Sequence, residues 1–174
     1  MANDYGSSGG ESKLTSLKPM DAAALAQYQQ HSLPNYAKQK VISGEWDEES
    51  APERAREAFA ELLPQGLDTP DNYLFEIIDE WGGTPVGVLW FAVRERAGAK
   101  AAYIIDIFVV HAHQNKGHAS RALRTLEEKV GAMGLTGIGL NVFGQNEGAY
   151  RLYERLGYLP TNTLMFKAVS ESDT

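Results

Sequence analysis

Residues 103–110 read Tyr-Ile-Ile-Asp-Ile-Phe-Val-Val, and the interpretation of the whole chain begins with this stretch. Apart from Asp106 the run is apolar at successive positions, and β-branched residues dominate it. Such a run is typical of a β-strand that is buried on both faces of a sheet. A polar turn follows at residues 114–119, and apolar residues then recur at 119, 123, 126 and 130, the spacing of one helix face. The sequence therefore predicts a strand, a turn containing one glycine, and a helix.

The turn has the chemistry of an anion-binding site. The first backbone N–H groups of a helix have no partner within the helix, and the helix dipole gives them a partial positive charge. A phosphate or pyrophosphate group fits there, Gly117 would let the backbone approach it, and Lys116 adds a full positive charge. An ordinary strand-to-helix connection explains the same residues equally well, so both interpretations stay open.

A second pattern lies in residues 140–158. Asn146 is suited to cap the start of a helix, and Gly157 is suited to end it. The residues that follow Asn146 on one side of this predicted helix are Ala149, Tyr150 and Tyr153. Residue types alone predict a capped amphipathic helix with two aromatic side chains in the core.

Together the two patterns resemble the GNAT acetyltransferase superfamily. Gln114-x-x-Gly117-x-Ala119 matches the family signature Q/R-x-x-G-x-G/A, the turn that holds the pyrophosphate of acetyl-coenzyme A. The other signature, N-x-x-A-x-x-L-Y-x-x-x-G-F/Y, is matched at Asn146, Ala149, Leu152, Tyr153, Gly157 and Tyr158. The resemblance is close from about residue 72 to residue 168, whereas residues 1–71 share only the expected strand and two helices.

The resemblance implies acetyl-coenzyme A as co-substrate and direct attack of an amine on its thioester. A backbone amide near Val109 would stabilise the oxyanion, and Tyr153 would act as the general acid that protonates the leaving thiolate. The implied cofactor-binding residues are Phe108, Val109, Gln114, Asn115, Lys116, Gly117, His118, Ala119, Asn146 and Tyr153.

The general base is left open by the sequence. Many family members carry a glutamate in the strand that leads to the second signature, but this chain has Asn141, which cannot act as a base. Asp106 and Glu76 each lie within a predicted strand, where an unpaired charge is costly. Each is therefore either a catalytic carboxylate or a member of a structural ion pair or hydrogen bond. His111 ranks below them, because its place in the family is usually taken by proline.

The predicted fold class is α/β: a single GNAT-like domain with a mixed sheet of six to seven strands and helices on both faces. We expect a disordered tail over residues 1–12, the domain over 13–169 and a C-terminal tail over 170–174. The expected strands are residues 14–17, 73–78, 86–93, 103–110, 138–143 and 163–169, the second and third of them antiparallel. The expected helices are residues 21–40, interrupted by Pro34, then 52–63, one that starts at 119 and ends near Gly131 or Gly134, and 147–156.

Composition excludes several classes of function. The chain has no cysteine, which removes disulfides, thiolate metal sites and a cysteine nucleophile. His111-x-His113 offers two ligands, a poor site by itself, so no metal is expected. The net charge of −7 argues against a nucleic-acid partner. With no apolar run long enough to span a bilayer and no signal-peptide pattern, the sequence predicts a cytoplasmic protein without membrane contact.

The sequence thus predicts an N-acetyltransferase that acts on a primary amine of a small molecule or protein, with a homodimer suggested by the family resemblance. One rival is a non-catalytic acyl-coenzyme A-binding sensor or regulatory protein on the same fold, which the loss of the usual glutamate at Asn141 leaves open. Another is an ordinary nucleotide-binding domain, but both G-x-G-x-x-G and G-x-x-x-x-G-K-S/T are missing from the chain.

Overall fold

The computed structural model describes residues 15–167, which form two compact units, residues 15–141 and residues 142–167. Predictions that concern Leu14, residues 1–12, residues 168–169 or residues 170–174 lie outside the described range. The elements of the first unit are β1 (Thr15–Pro19), α1 (Ala22–Ile42), α2 (Ala51–Leu62), β2 (Asn72–Asp79), β3 (Thr84–Arg96), β4 (Ala99–Val109), α3 (His118–Ala132) and β5 (Ile138–Leu140), with 3₁₀ turns at Gly66–Asp68 and His111–His113. The second unit contains α4 (Glu147–Arg155).

The strands of the first unit form one sheet in the order β1-β2-β3-β4-β5. The first four strands are antiparallel to their neighbours, whereas β5 runs parallel to β4. A parallel pair needs a crossover connection, and α3 supplies it. The predicted mixed sheet is therefore confirmed, and so is the antiparallel pairing of β2 with β3.

The predicted strand count is wrong, since the described residues contain five strands instead of six or seven. Residues 163–167 belong to no strand, and their large apolar side chains are exposed: Leu164 by 94%, Met165 by 87% and Phe166 by 91%. An apolar run predicts burial, but it cannot tell whether a neighbouring strand is there to pair with. The strand predicted for residues 138–143 ends at Leu140, so Asn141 lies outside the sheet.

Helix α1 corrects a second prediction, because it continues through Pro34. Its start is as predicted: the Asp21 side chain accepts the backbone N–H of Ala24 at 2.9 Å. Proline removes one helical hydrogen bond and normally breaks a helix. Here Tyr28 and Ala37, one on each side of Pro34, are both only 5% exposed, so tertiary packing holds the two halves in one helix.

Helices cover both faces of the sheet, as predicted. On one face Tyr28 of α1 and Phe59 of α2 pack with Leu74 and Trp90. On the other face, Lys129 of α3 lies over the ring of Phe75, 5.2 Å from its centroid. Neighbouring residues of a strand point to opposite faces, so Leu74 and Phe75 place α1 and α3 on opposite sides. The helix predicted from positions 119, 123, 126 and 130 is confirmed, and three of these residues are fully or almost fully buried, Leu123, Leu126 and Val130.

Candidate active site

Strand β4 changes its neighbours near its midpoint. Its register with β3 skips Ile105, which lies between the residues that pair with Phe91 and Trp90. Its pairing with β5 ends at the same place, with Ile104 opposite Leu140 as the last pair. A bulge of this kind shifts which side of the strand the following backbone groups face. The first half of β4 is thus an inner strand, and the second half has one neighbour, β3, among the described residues.

The side of β4 that faces away from β3 is an open edge in its second half, and the backbone groups of Val109 point toward it. Val110 donates its backbone N–H to the carbonyl of Val86 in β3, at 2.8 Å. Because neighbouring residues alternate, the N–H and C=O groups of Val109 point away from β3. The Gln114 side chain supports this, since its Nε2 donates to the Val109 carbonyl at 2.9 Å. The Val109 N–H lies on the same edge, as the predicted oxyanion donor requires.

The turn that follows β4 brings the backbone into the first turn of α3. Asn115 and Gly117 both have left-handed backbone conformations, with φ of 59° and 81°. The left-handed conformation at Gly117 favours glycine, and a Cβ there would lie 2.6 Å from Nη1 of Arg121, so the Arg121 guanidinium would have to move. In the described chain no side chain caps α3 by a hydrogen bond, and its first turn carries no acidic residue. The N–H groups there are left for a ligand.

Two cations lie at this turn. Lys116 donates its Nζ to the carbonyl of Ala112 at 3.0 Å, and the side chain is exposed. Arg121 donates Nη2 to the carbonyl of Lys116 at 2.8 Å, and its Nε donates to Oγ1 of Thr15, also at 2.8 Å. The predicted anion site therefore has a positive charge on its backbone, from the helix dipole, and two positive side chains beside it.

His118 is placed differently from the other predicted cofactor-binding residues of the turn. Its side chain is 5% exposed, and Nδ1 lies 3.1 Å from Oγ1 of Thr15 in β1. Burial lowers the pKa of His118, and the positive charge of Arg121 lowers it further. The imidazole faces the sheet, so His118 can serve a bound anion through its backbone N–H alone. Ala119, the next residue, is half-buried.

Asp106 has a partner that the sequence did not identify. Its Oδ2 accepts a hydrogen bond from the hydroxyl of Tyr28 at 2.8 Å. Burial raises the pKa of Asp106, while the bond from Tyr28 and the backbone N–H of Ile107 oppose that rise. Burial and the neighbouring Asp106 also raise the pKa of Tyr28 well above its usual value. A carboxyl group with a raised pKa on the α1 face is suited to accept and release a proton.

Glu76 and Phe108 lie in one row across the same face of the sheet, with Val88 between them. Glu76 accepts a hydrogen bond from Nζ of Lys18 at 3.1 Å, and the Glu76 side chain is 13% exposed. Phe108 stacks on Tyr28, with centroids 6.2 Å apart, and contacts the ring of His31 at 5.0 Å. Glu76 thus forms the structural ion pair that was the alternative to a catalytic role. His111, the third base candidate, is exposed in the 3₁₀ turn.

The second unit carries the other signature. The Asn146 side chain accepts the backbone N–H of Ala149 at 3.2 Å, which confirms the predicted cap. Gly157, at a φ of 87°, donates its N–H to Glu154, and Tyr158 donates to Tyr153, so the helix ends in a Schellman motif.

The two aromatic residues of α4 do not lie in a core, contrary to the prediction from residue types. Tyr150 is 39% exposed and Tyr153 is half-buried, with its ring 5.6 Å from that of Tyr158. No residue of α4 is buried.

Several residues of the first unit were not identified from the sequence. Tyr28 is the partner of Asp106, 78 residues away, and no sequence pattern pointed to it. Thr15 and Arg121 hold the start of α3 against β1 across 106 positions. Asp79, His113 and His118 also come together. Tyr28, Thr15 and Asp79 each lie far in sequence from the residues they meet, so no local pattern detects these contacts.

With this geometry in hand, comparison with known proteins assigns the family. The sequence matches the Acetyltransferase (GNAT) family over residues 37–158, and the chain belongs to that family. It is 35% identical over 136 residues to the uncharacterized N-acetyltransferase YdgE of Bacillus subtilis (strain 168). These residues are 78% of this chain and 86% of YdgE. It is 32% identical over 152 residues to the uncharacterized N-acetyltransferase YycN of the same organism, over 87% of this chain and 96% of YycN.

Solved structures agree with this assignment. The crystal structure of YycN superposes with a TM-score of 0.85 over 90% of this chain and 99% of that chain, at 31% identity. The fold alone is shared with AAC(6')-Iy, at 12% identity and a TM-score of 0.57 over 90% of this chain and 98% of that one. That structure contains the bisubstrate analogue CoA-S-monomethyl-acetylneamine. The family match spans both compact units, so both are parts of one GNAT-like α/β domain.

One further property bears on location. None of the helices among residues 15–167 is long and apolar enough to cross a membrane.

Proposed function

We propose that this acetyltransferase-family protein uses acetyl-coenzyme A and transfers the acetyl group to a primary amine of a small molecule or protein. The open edge of β4 at Val109, directly before the turn at residues 114–119, is the observation that carries the proposal. A thioester carbonyl at that edge meets the Val109 N–H, and a pyrophosphate at the start of α3 meets its uncapped N–H groups. The coenzyme A analogue bound by AAC(6')-Iy supports the same choice of cofactor.

The reaction proceeds by direct attack in this proposal. The protonated amine first loses a proton to a base, and its nitrogen then forms a bond to the thioester carbon. The oxygen of that carbonyl becomes an oxyanion, which the N–H of Val109 stabilises. When the intermediate collapses, the carbon–sulfur bond breaks and the thiolate takes a proton from Tyr153 as general acid. The net charge of −7 favours the approach of a cationic amine.

We assign the base to Asp106. Burial raises the pKa of Asp106, the direction that makes a carboxylate a stronger base, whereas Glu76 is held by Lys18. The hydroxyl of Tyr28 orients the carboxylate and limits the rise of its pKa. Glu76 remains the second candidate for the role.

The first test is thermal unfolding with and without acetyl-coenzyme A. A ligand at about 100 times its dissociation constant stabilises the folded state by roughly 2.7 kcal/mol, so the melting temperature should rise clearly. Desulfo-coenzyme A without an acetyl group serves as a matched ligand, and turnover is followed by thiol release over a panel of amines. A melting temperature that stays constant at millimolar acetyl-coenzyme A would rule out the proposed cofactor.

The pH dependence tests the base. The rate constant kcat/KM should rise with pH as Asp106 loses its proton, which gives the pH profile a rising limb. In Asp106→Asn this limb should be absent and the rate about 10²–10⁴-fold lower. In Tyr28→Phe the bond that lowers the pKa of Asp106 is gone, so the limb should move to higher pH. Glu76→Gln is the matched control and should keep both the rate, within a few-fold, and the limb. Loss of the limb in Glu76→Gln instead would transfer the role to Glu76.

The same carboxyl group makes folding stability depend on pH. The folded-state pKa of Asp106 is raised above its unfolded value of about 3.9, so its favourable contribution exists below that value and is lost as pH rises through the folded-state pKa. Within that window the slope is at most about 1.4 kcal/mol per pH unit. The free energy of unfolding of Asp106→Asn should therefore increase relative to that of the wild type as pH rises. Denaturant unfolding from about pH 4, roughly the start of the window, measures this difference. Parallel curves for the two proteins would contradict this.

A non-catalytic acyl-coenzyme A-binding protein is the second candidate, because Asn141 lies outside the sheet and both candidate carboxylates have partners. Tyr153→Phe separates the two functions. An enzyme that uses the hydroxyl as general acid loses turnover and keeps cofactor binding. If the wild type binds acetyl-coenzyme A and acetylates no amine in a broad panel, the binding function is favoured.

A further inference from the structure

Three metal-ligating side chains meet at the base of the turn that begins α3. Asp79, His113 and His118 each offer one ligand atom, and the three atoms lie within 4.8 Å of one another. They come from three elements: the end of β2, the 3₁₀ turn after β4, and the first residue of α3. We propose that Asp79, His113 and His118 bind a divalent transition-metal ion, with Zn²⁺ as the best match.

The ligand set fits this class of ion. Two imidazole nitrogens and a carboxylate oxygen are ligands typical of Zn²⁺, at about 2.0–2.2 Å, and imidazole selects against Mg²⁺ and Ca²⁺. Ligand atoms of a tetrahedral ion at those distances are about 3.4 Å apart, so no pair of ligand atoms has to approach by more than roughly 1.4 Å. Asp79 and His113 are half-buried, so their side chains are less confined than the buried His118. Three protein ligands leave one position for water or an anion.

The surroundings hold the buried ligand in place. Metal-binding histidines as a rule use their second ring nitrogen in a hydrogen bond that fixes the ring. In His118, Nδ1 lies 3.1 Å from Oγ1 of Thr15, which in turn accepts a bond from Nε of Arg121. An ion bound through Nε2 would keep both contacts. The positive charge of Arg121 lies on the Nδ1 side, 3.4 Å from that atom, and the carboxylate of Asp79 offsets it.

Asp79 is oriented by its own turn. Its Oδ1 accepts the backbone N–H of Trp81 at 3.1 Å, and its backbone carbonyl accepts the N–H of Gly83. A bound ion would therefore link the β2–β3 turn to the turn at residues 114–119. The pair suggested by sequence spacing, His111 and His113, is not the group that the fold assembles: within residues 15–167 the grouped ligands are His113 and His118, with Asp79.

The test uses the full chain prepared without a histidine tag. Zn²⁺ is titrated in competition with a chromophoric chelator, and Co²⁺ is titrated separately to record its visible absorption. We expect one ion per chain and the intense bands of a tetrahedral Co²⁺ site. His113→Ala and Asp79→Asn should each weaken Zn²⁺ binding by more than 100-fold, beyond the 10–100-fold that loss of an outer partner causes. His111→Ala, in the same turn, is the matched control and should bind as the wild type does.

The proposal would be overturned by no stoichiometric Zn²⁺ binding in the wild type, by equal affinities in His113→Ala and the wild type, or by an equal loss in His111→Ala. Circular dichroism establishes that each variant is folded. If His113→Ala does not fold, Asp79→Asn, which keeps the shape of the side chain, decides the question. Folded Asp79→Asn with the Co²⁺ spectrum and the affinity of the wild type would also overturn it.

Discussion

Helices α3 and α4 carry the two family signatures, yet they begin in opposite ways. Helix α3 follows the left-handed Gly117, and in the described chain it has neither a side-chain cap nor an acidic residue in its first turn. Helix α4 is capped by Asn146, with Glu147 in its first turn. The burial also differs: α3 has five buried residues, whereas α4 has none.

The difference indicates how each helix is stabilised and what it offers. The apolar face of α3 is packed on the sheet, so the helix does not need its N-terminal N–H groups to be satisfied by its own side chains. Those groups are left for an anion. Helix α4 has no buried face, and the Asn146 cap and the Schellman motif at Gly157 hold its two ends. We therefore expect α3 to bind through its backbone and α4 through side chains such as Tyr153.

Replacing Gly117 should have the largest effect. Gly117→Ala places a Cβ 2.6 Å from the Arg121 guanidinium, in a conformation that costs roughly 1–2 kcal/mol for a residue other than glycine. The displaced Arg121 also loses its bonds to Thr15 and Lys116. The conformational cost and the weakened hydrogen bonds together should lower the free energy of unfolding by about 3 kcal/mol, and the thermal shift caused by acetyl-coenzyme A should be lost.

Gly98 provides the matched control for this substitution. Its φ of 79° is nearly that of Gly117, and a Cβ there would have no atom within 4 Å. Gly98→Ala should therefore cost only the conformational part, about 1–2 kcal/mol, and should leave the acetyl-coenzyme A shift intact. Equal losses in the two variants would mean that the space at Gly117 is not a constraint.

A negative charge added to α3 should remove the difference between the two helix starts. Ser120→Glu places a carboxylate in the first turn of α3, where it should stabilise the helix by about 0.3–1 kcal/mol. The same charge repels a bound pyrophosphate, so the dissociation constant of acetyl-coenzyme A should rise about tenfold, or about 1.4 kcal/mol. Calorimetry measures the binding, and Ser120→Gln controls for the size of the side chain. A more stable variant with unchanged affinity would place the cofactor anion elsewhere.

Removing the cap of α4 should have the smallest effect of the three. Asn146→Ala loses the bond to Ala149 and should cost about 1 kcal/mol, seen as faster amide hydrogen exchange in α4. Asn146→Asp keeps an accepting oxygen and should keep the helix. If Asn146 also contacts the cofactor, Asn146→Asp should weaken acetyl-coenzyme A binding without loss of stability. Full exchange protection in Asn146→Ala would show that the cap does not hold α4.

The sequence by itself determined the local part of this protein. It located the four α-helices of residues 15–167 to within a few residues, because caps such as Asp21 and Asn146 and the spacing of apolar residues act within one or two turns. The turn at Gln114 and Gly117 was identified for the same reason, since its chemistry is contained in six consecutive residues.

Tertiary structure decided whatever depends on a neighbour from elsewhere in the chain. Helix α1 continues through Pro34 because packing outweighs one lost hydrogen bond, and residues 163–167 form no strand although their apolar side chains predict one. Asp106 was recognised as a costly charge, but its partner Tyr28 is 78 residues away. Periodicity reports which side of an element is apolar; only the folded chain determines which elements meet, and hence where each charge and hydrogen-bonding group lies.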